Sequence, residues 1–134
     1  MNARMDRAVP VWFWLVAGLA VLWEAYGCFV YVSQSLVPDA QRVGGYAQMA
    51  SWQWGVFAVA VWSGLIGAVL LLLRSRWATA LLLASLIAAA FQYGYEAATR
   101  GIDADALPIA ISVLVVGVGL VIFASRSRRA GWLR

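Results

Sequence analysis

Apolar residues are concentrated in four long runs along the chain, and short polar segments separate the runs. Each run approaches the length of about 20 residues that an α-helix needs to cross a hydrocarbon core roughly 30 Å thick. The pattern therefore predicts four membrane-spanning helices, over residues 9–32, 52–73, 77–97 and 107–124, with residues 33–51 as a short outer loop. The expected fold is all-α: one up-down-up-down transmembrane bundle that takes up all 134 residues.

Arginines set the predicted orientation of these helices. All ten basic residues are Arg, and none lies inside a predicted span. Because cytoplasmic segments carry the excess of arginine, both termini and the second connection are predicted to be cytoplasmic. Arg42 and Arg100 fall on the outer side. The other eight are Arg4, Arg7, Arg74, Arg76, Arg126, Arg128, Arg129 and Arg134. The first run is longer than the apolar region of a signal peptide, which favours a retained helix.

The connections carry recognisable turn signals. The dipeptide Pro38–Asp39 is typical of a helix start and Gly44–Gly45 of a helix end, so the outer loop is predicted to contain one short helix. The segment between the second and third spans is very short, and these helices are expected to be antiparallel neighbours. Pro108 is predicted to open the last helix.

The composition excludes several kinds of chemistry. The chain is 64% hydrophobic and 12% charged, unlike a soluble domain. The lack of His excludes His-ligated zinc, bis-His haem and a His general base, and a single cysteine, Cys28, excludes an intramolecular disulfide. No cofactor or metal is expected, and an enzyme is the least favoured class. The net charge of +4 predicts contacts with membrane lipids rather than nucleic acid, with partner docking by residues 125–134 as the alternative.

One ionisable residue, Glu24, lies well inside the first predicted span. A charged group at a helix centre costs about 2.5–3.5 kcal/mol on insertion scales, so carboxylates in spans rarely face lipid. Small residues dominate the helical face around Glu24, and membrane helices pack closely on such faces. We therefore expect Glu24 to point into the bundle, with Gly64 and Gly67 of the second span at a lower level. The predicted packing residues are Ala17, Ala20, Gly27, Gly64 and Gly67.

Distances along the helices predict which polar residues share the height of Glu24. Glu24 and Gln92 each lie roughly 25 Å beyond the cytoplasmic arginine that precedes their span, at 1.5 Å per residue. Ser112, on the last helix, lies only slightly lower. The sequence thus predicts a polar layer in the outer half of the bundle. Its candidate substrate- or proton-coupling residues are Glu24, Gln92, Ser112, Tyr93, Glu96 and Gln53.

Two interpretations of Glu24 stay open from the sequence. It is either a coupling carboxylate on a transport pathway, as intramembrane carboxylates often are, or a protonated structural group. In the second case it donates an interhelical hydrogen bond to Gln92 or Ser112, worth about 0.6 kcal/mol on average. Glu96 lies near the outer interface, where a solvated role is expected.

Several segments resemble a family of small bacterial four-span proteins that are often labelled sugar transporters. The likeness covers nearly the whole length and is carried by VWFW at 11–14, LW at 22–23, FAVAV at 57–61, LLLRSRWA at 71–78 and RRAGWL at 128–133. Family members usually have a longer, more acidic first outer loop and an amide where Glu24 stands. The resemblance implies a bacterial inner-membrane protein with a small, sugar-like solute as substrate.

A second resemblance is weaker. Four spans, a glutamate in the first helix and the WSG tripeptide at 62–64 are similar to features of the small multidrug resistance transporters. In that family the tripeptide lies in the third span, whereas here it lies in the second, and the first outer loop here is longer. We therefore favour the first family.

Two functional classes follow from these features. The first is small-solute transport through the polar layer around Glu24, in a homo-oligomer, because four closely packed helices leave little room for a central pathway. The second is a structural or accessory subunit of a larger membrane complex, which would use its exposed apolar faces. Replacement of Glu24 by Gln should discriminate between them, since only a transporter should lose activity.

Overall fold

The computed structural model describes residues 9–134, and this range contains α-helices, short 3₁₀ turns and no β-strand. The four long helices are α1 (Val11–Ser35), α2 (Ser51–Leu72), α3 (Ala78–Thr99) and α4 (Leu107–Arg129). Each is long and apolar enough to cross a membrane. The predicted all-α fold with four spans is therefore confirmed. The orientation of the termini stays a prediction, and Arg4 and Arg7, on which it partly depends, lie outside the described residues.

Three helices continue beyond the apolar runs that predicted them, α3 by two residues to Thr99. The first helix reaches Ser35, and the backbone N–H of Leu36 closes its last turn on the carbonyl of Val32 at 3.1 Å. The last helix continues through three arginines to Arg129. Hydropathy marks the part of a helix that suits hydrocarbon, and the hydrogen-bonded helix extends past it into the headgroup region.

The prediction of one short helix in the outer loop is wrong. The loop contains two 3₁₀ turns, Asp39–Gln41 and Gly44–Gln48, with extended backbone between them. Gly44 begins the second turn, and its φ of +56° is a left-handed conformation that glycine adopts without strain. Arg42 explains the interruption, because its Nε donates to the carbonyl of Gln34 at 3.0 Å and its guanidinium pairs with Asp39 at 2.7 Å.

The long helices pack mainly against their neighbours along the chain, and the α2–α3 pair has the most extensive contact. The turn between α2 and α3 is tight. Arg74 takes a left-handed φ of +60° there, and its backbone N–H donates to the carbonyl of Leu71 at 3.0 Å. We call this end of the bundle the α2–α3 end, and the opposite end, with residues 36–50, the loop end.

The apolar core lies towards the α2–α3 end. Its buried side chains come from all four helices and from the segment that follows α4: Phe13, Ala17, Ala20, Ala68, Leu71, Ala78, Leu82, Leu120, Ala124 and Leu133. Half of this set is alanine, as expected where membrane helices approach closely.

The segment after α4 folds back onto the α2–α3 turn. The backbone N–H of Arg134 donates to the carbonyl of Arg74 at 2.6 Å, and that of Arg76 donates to the carbonyl of Arg134 at 2.8 Å. Arg74 Nε also donates to the carbonyl of Trp132 at 2.7 Å. The Trp132 ring in turn meets Trp12 and Phe13 of α1 edge to face. This segment therefore connects α1 to the α2–α3 turn.

Candidate functional site

The carboxyl group of Glu24 lies on the surface of α2 at Gly64. A Cβ atom at position 64 would overlap Glu24 Oε2 and would lie 2.7 Å from Glu24 Cδ. The carboxyl group therefore occupies the space that a side chain on α2 would need. Gly64 is buried and Glu24 is partly buried.

A third helix completes this site. Ser85 Oγ of α3 lies 2.8 Å from the same Cβ position at Gly64. The Ser85 hydroxyl donates to the backbone carbonyl of Ala60, one helical turn from Gly64, at 2.5 Å. We call the group formed by Glu24, Gly64 and Ser85 the Glu24 site. It places one carboxyl group, one hydroxyl group and one glycine at the junction of α1, α2 and α3.

The packing residues predicted from the sequence lie at helix contacts. Ala17 and Ala20 are buried in the core. Gly27 lies against Val61, whose Cγ1 is 3.5 Å from the position of a Cβ at Gly27, and Gly67 lies against Leu82. Gly64, however, lies at the height of Glu24 and not below it. Next to this contact, the Cys28 thiol donates to the carbonyl of Val61 at 3.3 Å, which adds a polar contact between α1 and α2.

The predicted single polar layer is not formed, because Glu24 and Gln92 lie at different heights. The level of Glu24 on α3 is occupied by Ser85, and Gln92 lies two helical turns beyond it, roughly 10 Å along the axis. The prediction of equal height assumes that Arg7 and Arg76 lie at the same height along the membrane normal. Arg7 lies outside the described residues, α1 begins at Val11, and packing rather than chain position sets the relative height of the helices.

Ser112 does not belong to a polar layer either. Its side chain is exposed, and its hydroxyl donates to the carbonyl of Pro108 in the preceding turn of α4, at 2.7 Å. The helix surrounding Ser112 is apolar on every side, so its sequence gives no indication of which face is turned inwards. Neither Ser112 nor Gln92 is thus the partner of Glu24.

No family model, curated protein or solved structure matches this chain. Its function is therefore argued from its own residues.

A second polar group lies near the loop end, between α2 and α3. Gln53 is 2% exposed and its Oε1 accepts from the backbone N–H of Ala50 at 2.8 Å. Gln92 is 9% exposed and its Nε2 donates to Met49 Sδ at 3.8 Å, a weak contact. The two buried amides therefore reach consecutive residues of the same loop segment. We call Gln53 and Gln92 the amide pair.

Each amide of this pair has one polar atom without a hydrogen-bond partner among the described residues. On Gln53 this atom is the donor Nε2, and on Gln92 it is the acceptor Oε1. A buried polar group without a partner typically costs about 1–3 kcal/mol. One free donor and one free acceptor together match a hydroxyl group, which accepts one hydrogen bond and donates another.

Arginines and aromatic rings fasten the loop over the amide pair. Arg42 lies over the Trp54 ring, 4.7 Å from its centroid, and Arg100 reaches Gln48 at 3.4 Å and Glu96 at 3.9 Å. Glu96 is thus ion-paired near the loop end. Tyr46 stacks on Phe57, with 5.9 Å between the ring centroids.

The predicted candidate Tyr93 lies beneath the same loop, near Tyr46 and Glu96. Burial raises the pKa of Tyr46 above its ordinary value, and the charges of Tyr26 and Glu96 raise it further. The loop end therefore holds Gln53, Gln92, Tyr93 and Glu96 in one region, and Glu24 lies deeper.

Sequence reasoning did not assign Ser85 to the Glu24 site or Met49 to the amide pair. Ser85 and Gln92 are two turns apart on one face of α3. This helical spacing is the sequence feature that could have indicated that Ser85 faces the same neighbouring helix as Gln92. Nothing in the sequence of the loop indicates that Met49 turns back towards α3.

Proposed function

We propose that this protein transports a small, neutral, hydroxyl-bearing solute across the bacterial cytoplasmic membrane, with Glu24 as the coupling carboxyl group. The position of the Glu24 carboxyl at the junction of three helices is the observation that carries the proposal. A carboxyl group is costly to hold in a span and marks substrate or proton pathways by default. We also propose that the chain is a member of the four-span family described above.

The amide pair supports the choice of solute. Gln53 Nε2 offers a donor and Gln92 Oε1 offers an acceptor, and both are neutral groups. A solute with hydroxyl groups can accept from Gln53 Nε2 and donate to Gln92 Oε1, whereas a cation or an anion could bond to only one of them. In this proposal the amide pair recognises the solute near the loop end.

The stripe of α3 that carries Gln92 and Ser85 connects the two polar groups. Ser85 and Gln92 are separated by two helical turns and are joined by small residues, among them the buried Ala89. Helix α2 faces this stripe with Gln53, the carbonyl of Ala60 and Gly64. In this proposal the solute enters between α2 and α3, and the change of Glu24 between its charged and neutral forms accompanies the opening of that contact. A second copy of the chain would complete the pathway, because one bundle is closely packed here.

The proposal is tested by solid-supported-membrane electrophysiology on proteoliposomes of the full chain. Monosaccharides, polyols and organic cations are applied with and without a pH step. We expect a current that depends on a neutral polyhydroxyl solute, that disappears in Glu24→Gln and that persists in Ser112→Ala, whose side chain lies outside both polar groups. Gln92→Leu should retain the current at a raised half-saturating concentration.

Two results would contradict the proposal. Folded wild-type protein that gives no current with any solute contradicts transport, and a full current in Glu24→Gln contradicts the role of Glu24. Circular dichroism and size-exclusion profiles of each variant establish that it is folded.

The second candidate function is an accessory subunit of a larger membrane complex. The outward face of α1 favours it, because a continuous series of large apolar side chains is exposed there: Leu19, Leu22, Trp23, Tyr26 and Phe29. An accessory subunit would keep its partner in Glu24→Gln and lose it when these residues become alanine. Cross-linking in intact membranes followed by purification distinguishes this result from transport.

A further inference from the structure

Two clefts lie side by side at the α2–α3 end, between the start of α3 and the end of α4. The first has a volume of about 170 Å³ and is lined by Arg76, Trp77, Ala80 and Arg128. The second has a volume of about 400 Å³ and is lined by Thr79, Ser125, Arg128 and Arg129. Arg128 lines both, and we call the two together the Arg128 clefts. A water molecule needs only about 10–15 Å³ of such space, so a group of several heavy atoms fits.

The arginines around these clefts form no ion pair with a side-chain carboxylate of residues 9–134. Within residues 9–134 the ion pairs are those of Arg42 and Arg100, both near the loop end. The acidic residues of the described range lie elsewhere, either inside α1 or near the loop end. Arg76, Arg128 and Arg129 therefore face the clefts without a carboxylate partner from residues 9–134. Arg76 lies over the Trp77 ring, 5.8 Å from its centroid, which keeps its charge beside the first cleft.

The first turn of α3 contributes further donors. Residues 77–80 form the start of this helix and three of them line the clefts. Ser75 accepts from the N–H groups of Trp77 and Ala78, so Thr79 and Ala80 supply the free N–H groups of this turn, where the helix dipole favours a negative charge. Thr79 adds a hydroxyl whose Oγ1 is buried and has no hydrogen-bond partner among the described residues. Arginine side chains combined with a helix start are well suited to a phosphate group.

We propose that the Arg128 clefts bind a phosphate group, with Arg128 between the two clefts as its principal ligand and with Arg76, Arg129 and Thr79 around it. The phosphate of an anionic lipid headgroup and free inorganic phosphate share this chemistry. The clefts lie at the ends of two candidate spans, where lipid headgroups are expected, and Trp77 beside them is typical of a residue at the membrane interface. The site is separate from the Glu24 site and does not depend on the proposed transport activity.

Native mass spectrometry of the detergent-solubilised full chain tests the proposal. Phosphatidylglycerol and phosphatidylcholine are titrated separately, and inorganic phosphate is added as a competitor. We compare wild type with Arg128→Gln and with the matched control Arg126→Gln, which removes the same charge from the same helix outside the clefts. We expect phosphatidylglycerol to bind more tightly than phosphatidylcholine. Arg128→Gln should weaken it about tenfold, as is usual for the loss of a charge-assisted hydrogen bond, and Arg126→Gln less than about twofold.

The outcomes separate the two sources of phosphate. Phosphatidylglycerol that millimolar phosphate does not displace identifies a lipid site, and displacement by phosphate identifies a site for free phosphate. Both support the proposal. Equal weakening by Arg126→Gln and Arg128→Gln would show diffuse surface charge and would overturn it. The absence of any preference for phosphatidylglycerol, combined with the absence of phosphate binding, would overturn it as well.

Discussion

The carboxyl group of Glu24 fills the position that a side chain at residue 64 would take, so that Glu24 and Gly64 act as a matched pair between α1 and α2. The nearest atoms to a Cβ at position 64 belong to the flexible end of Glu24 and to the Ser85 hydroxyl. A methyl group there can be accommodated by rotation of the Glu24 side chain without movement of the backbone.

Gly64→Ala should therefore displace the carboxyl group while the bundle remains folded. We expect faster modification of Glu24 by a hydrophobic carbodiimide, because the displaced group loses its cover. The rate is measured by the mass shift of the peptide that contains Glu24, and Glu24→Gln identifies the modified residue. An unchanged rate in folded Gly64→Ala would contradict the pairing.

Gly67→Ala should behave differently, because its new methyl group meets a backbone atom. A Cβ at position 67 would lie 3.0 Å from the backbone nitrogen of Leu82 and 2.9 Å from its Cγ. We expect a loss of about 1–3 kcal/mol in the free energy of unfolding, measured by titration with dodecyl sulfate. Gly119→Ala is the control, since nothing lies within 4 Å of its Cβ position. Equal stability of the two variants would refute the close α2–α3 contact.

The two serines Ser85 and Ser112 provide a second matched comparison. Ser85 joins α3 to α2 through the carbonyl of Ala60, whereas Ser112 bonds within its own helix. Ser85→Ala should lower the free energy of unfolding by about 0.6 kcal/mol, the average for an interhelical hydrogen bond in a membrane protein. Ser112→Ala should leave it unchanged. The prediction is contradicted if Ser112→Ala is the more destabilising substitution.

Trp132 should contribute to the stability of the α2–α3 end. Its ring makes edge-to-face contacts with Trp12 at 5.3 Å and with Phe13 at 5.9 Å. Trp132→Ala removes two such pairs, each worth about 0.5–1.5 kcal/mol beyond the lost area, so a loss of at least about 1–3 kcal/mol is expected. Thermal unfolding in detergent measures it. Trp23→Ala is the control because Trp23 is 37% exposed. A smaller loss in Trp132→Ala than in Trp23→Ala would count against the fold of this segment.

Alkaline pH should loosen the loop of residues 36–50 through Tyr46. Burial raises the pKa of Tyr46 in the folded state above its ordinary value of 10.0, so the neutral phenol is the favoured form there. Its contribution to stability is complete below pH 10 and is lost as the pH rises through the folded pKa. A fluorophore attached at Ala47→Cys should report increased mobility above pH 10, and Tyr46→Phe should abolish that change. Mobility that is independent of pH, or that persists in Tyr46→Phe, would exclude Tyr46 as the cause.

The spans were predictable because the bilayer imposes a length and a composition on every helix that crosses it. Small residues around Glu24 also indicated which face of α1 packs, since membrane helices approach most closely on such faces. Gly27 and Cys28 both meet Val61 on that face. The span and the packing face of a helix both depend on the residues of that helix alone, so a single sequence is enough to predict them.

Relative height and rotation of the helices were not predictable in the same way. Glu24 lies at the level of Ser85 and not of Gln92 because of how α1 packs against α2, which depends on many side chains from both helices. Ser112 lies on a helix that is apolar all round, where periodicity gives no inward face. The conformation of the loop depends on the contacts of Arg42 with Gln34 and Asp39, and no local turn signal in the sequence specifies these contacts.

The packing of each helix on its successor has a consequence for assembly of the protein. Contacts between segments that are close in the chain give a low contact order, and such topologies form quickly because little loop entropy is lost before a contact is made. The pair formed by α2 and α3, which share the largest contact, needs no residue beyond Thr99 to associate. The hairpin can therefore take shape while α4 is still being synthesised, and the segment 130–134 then packs on the α2–α3 turn and on α1.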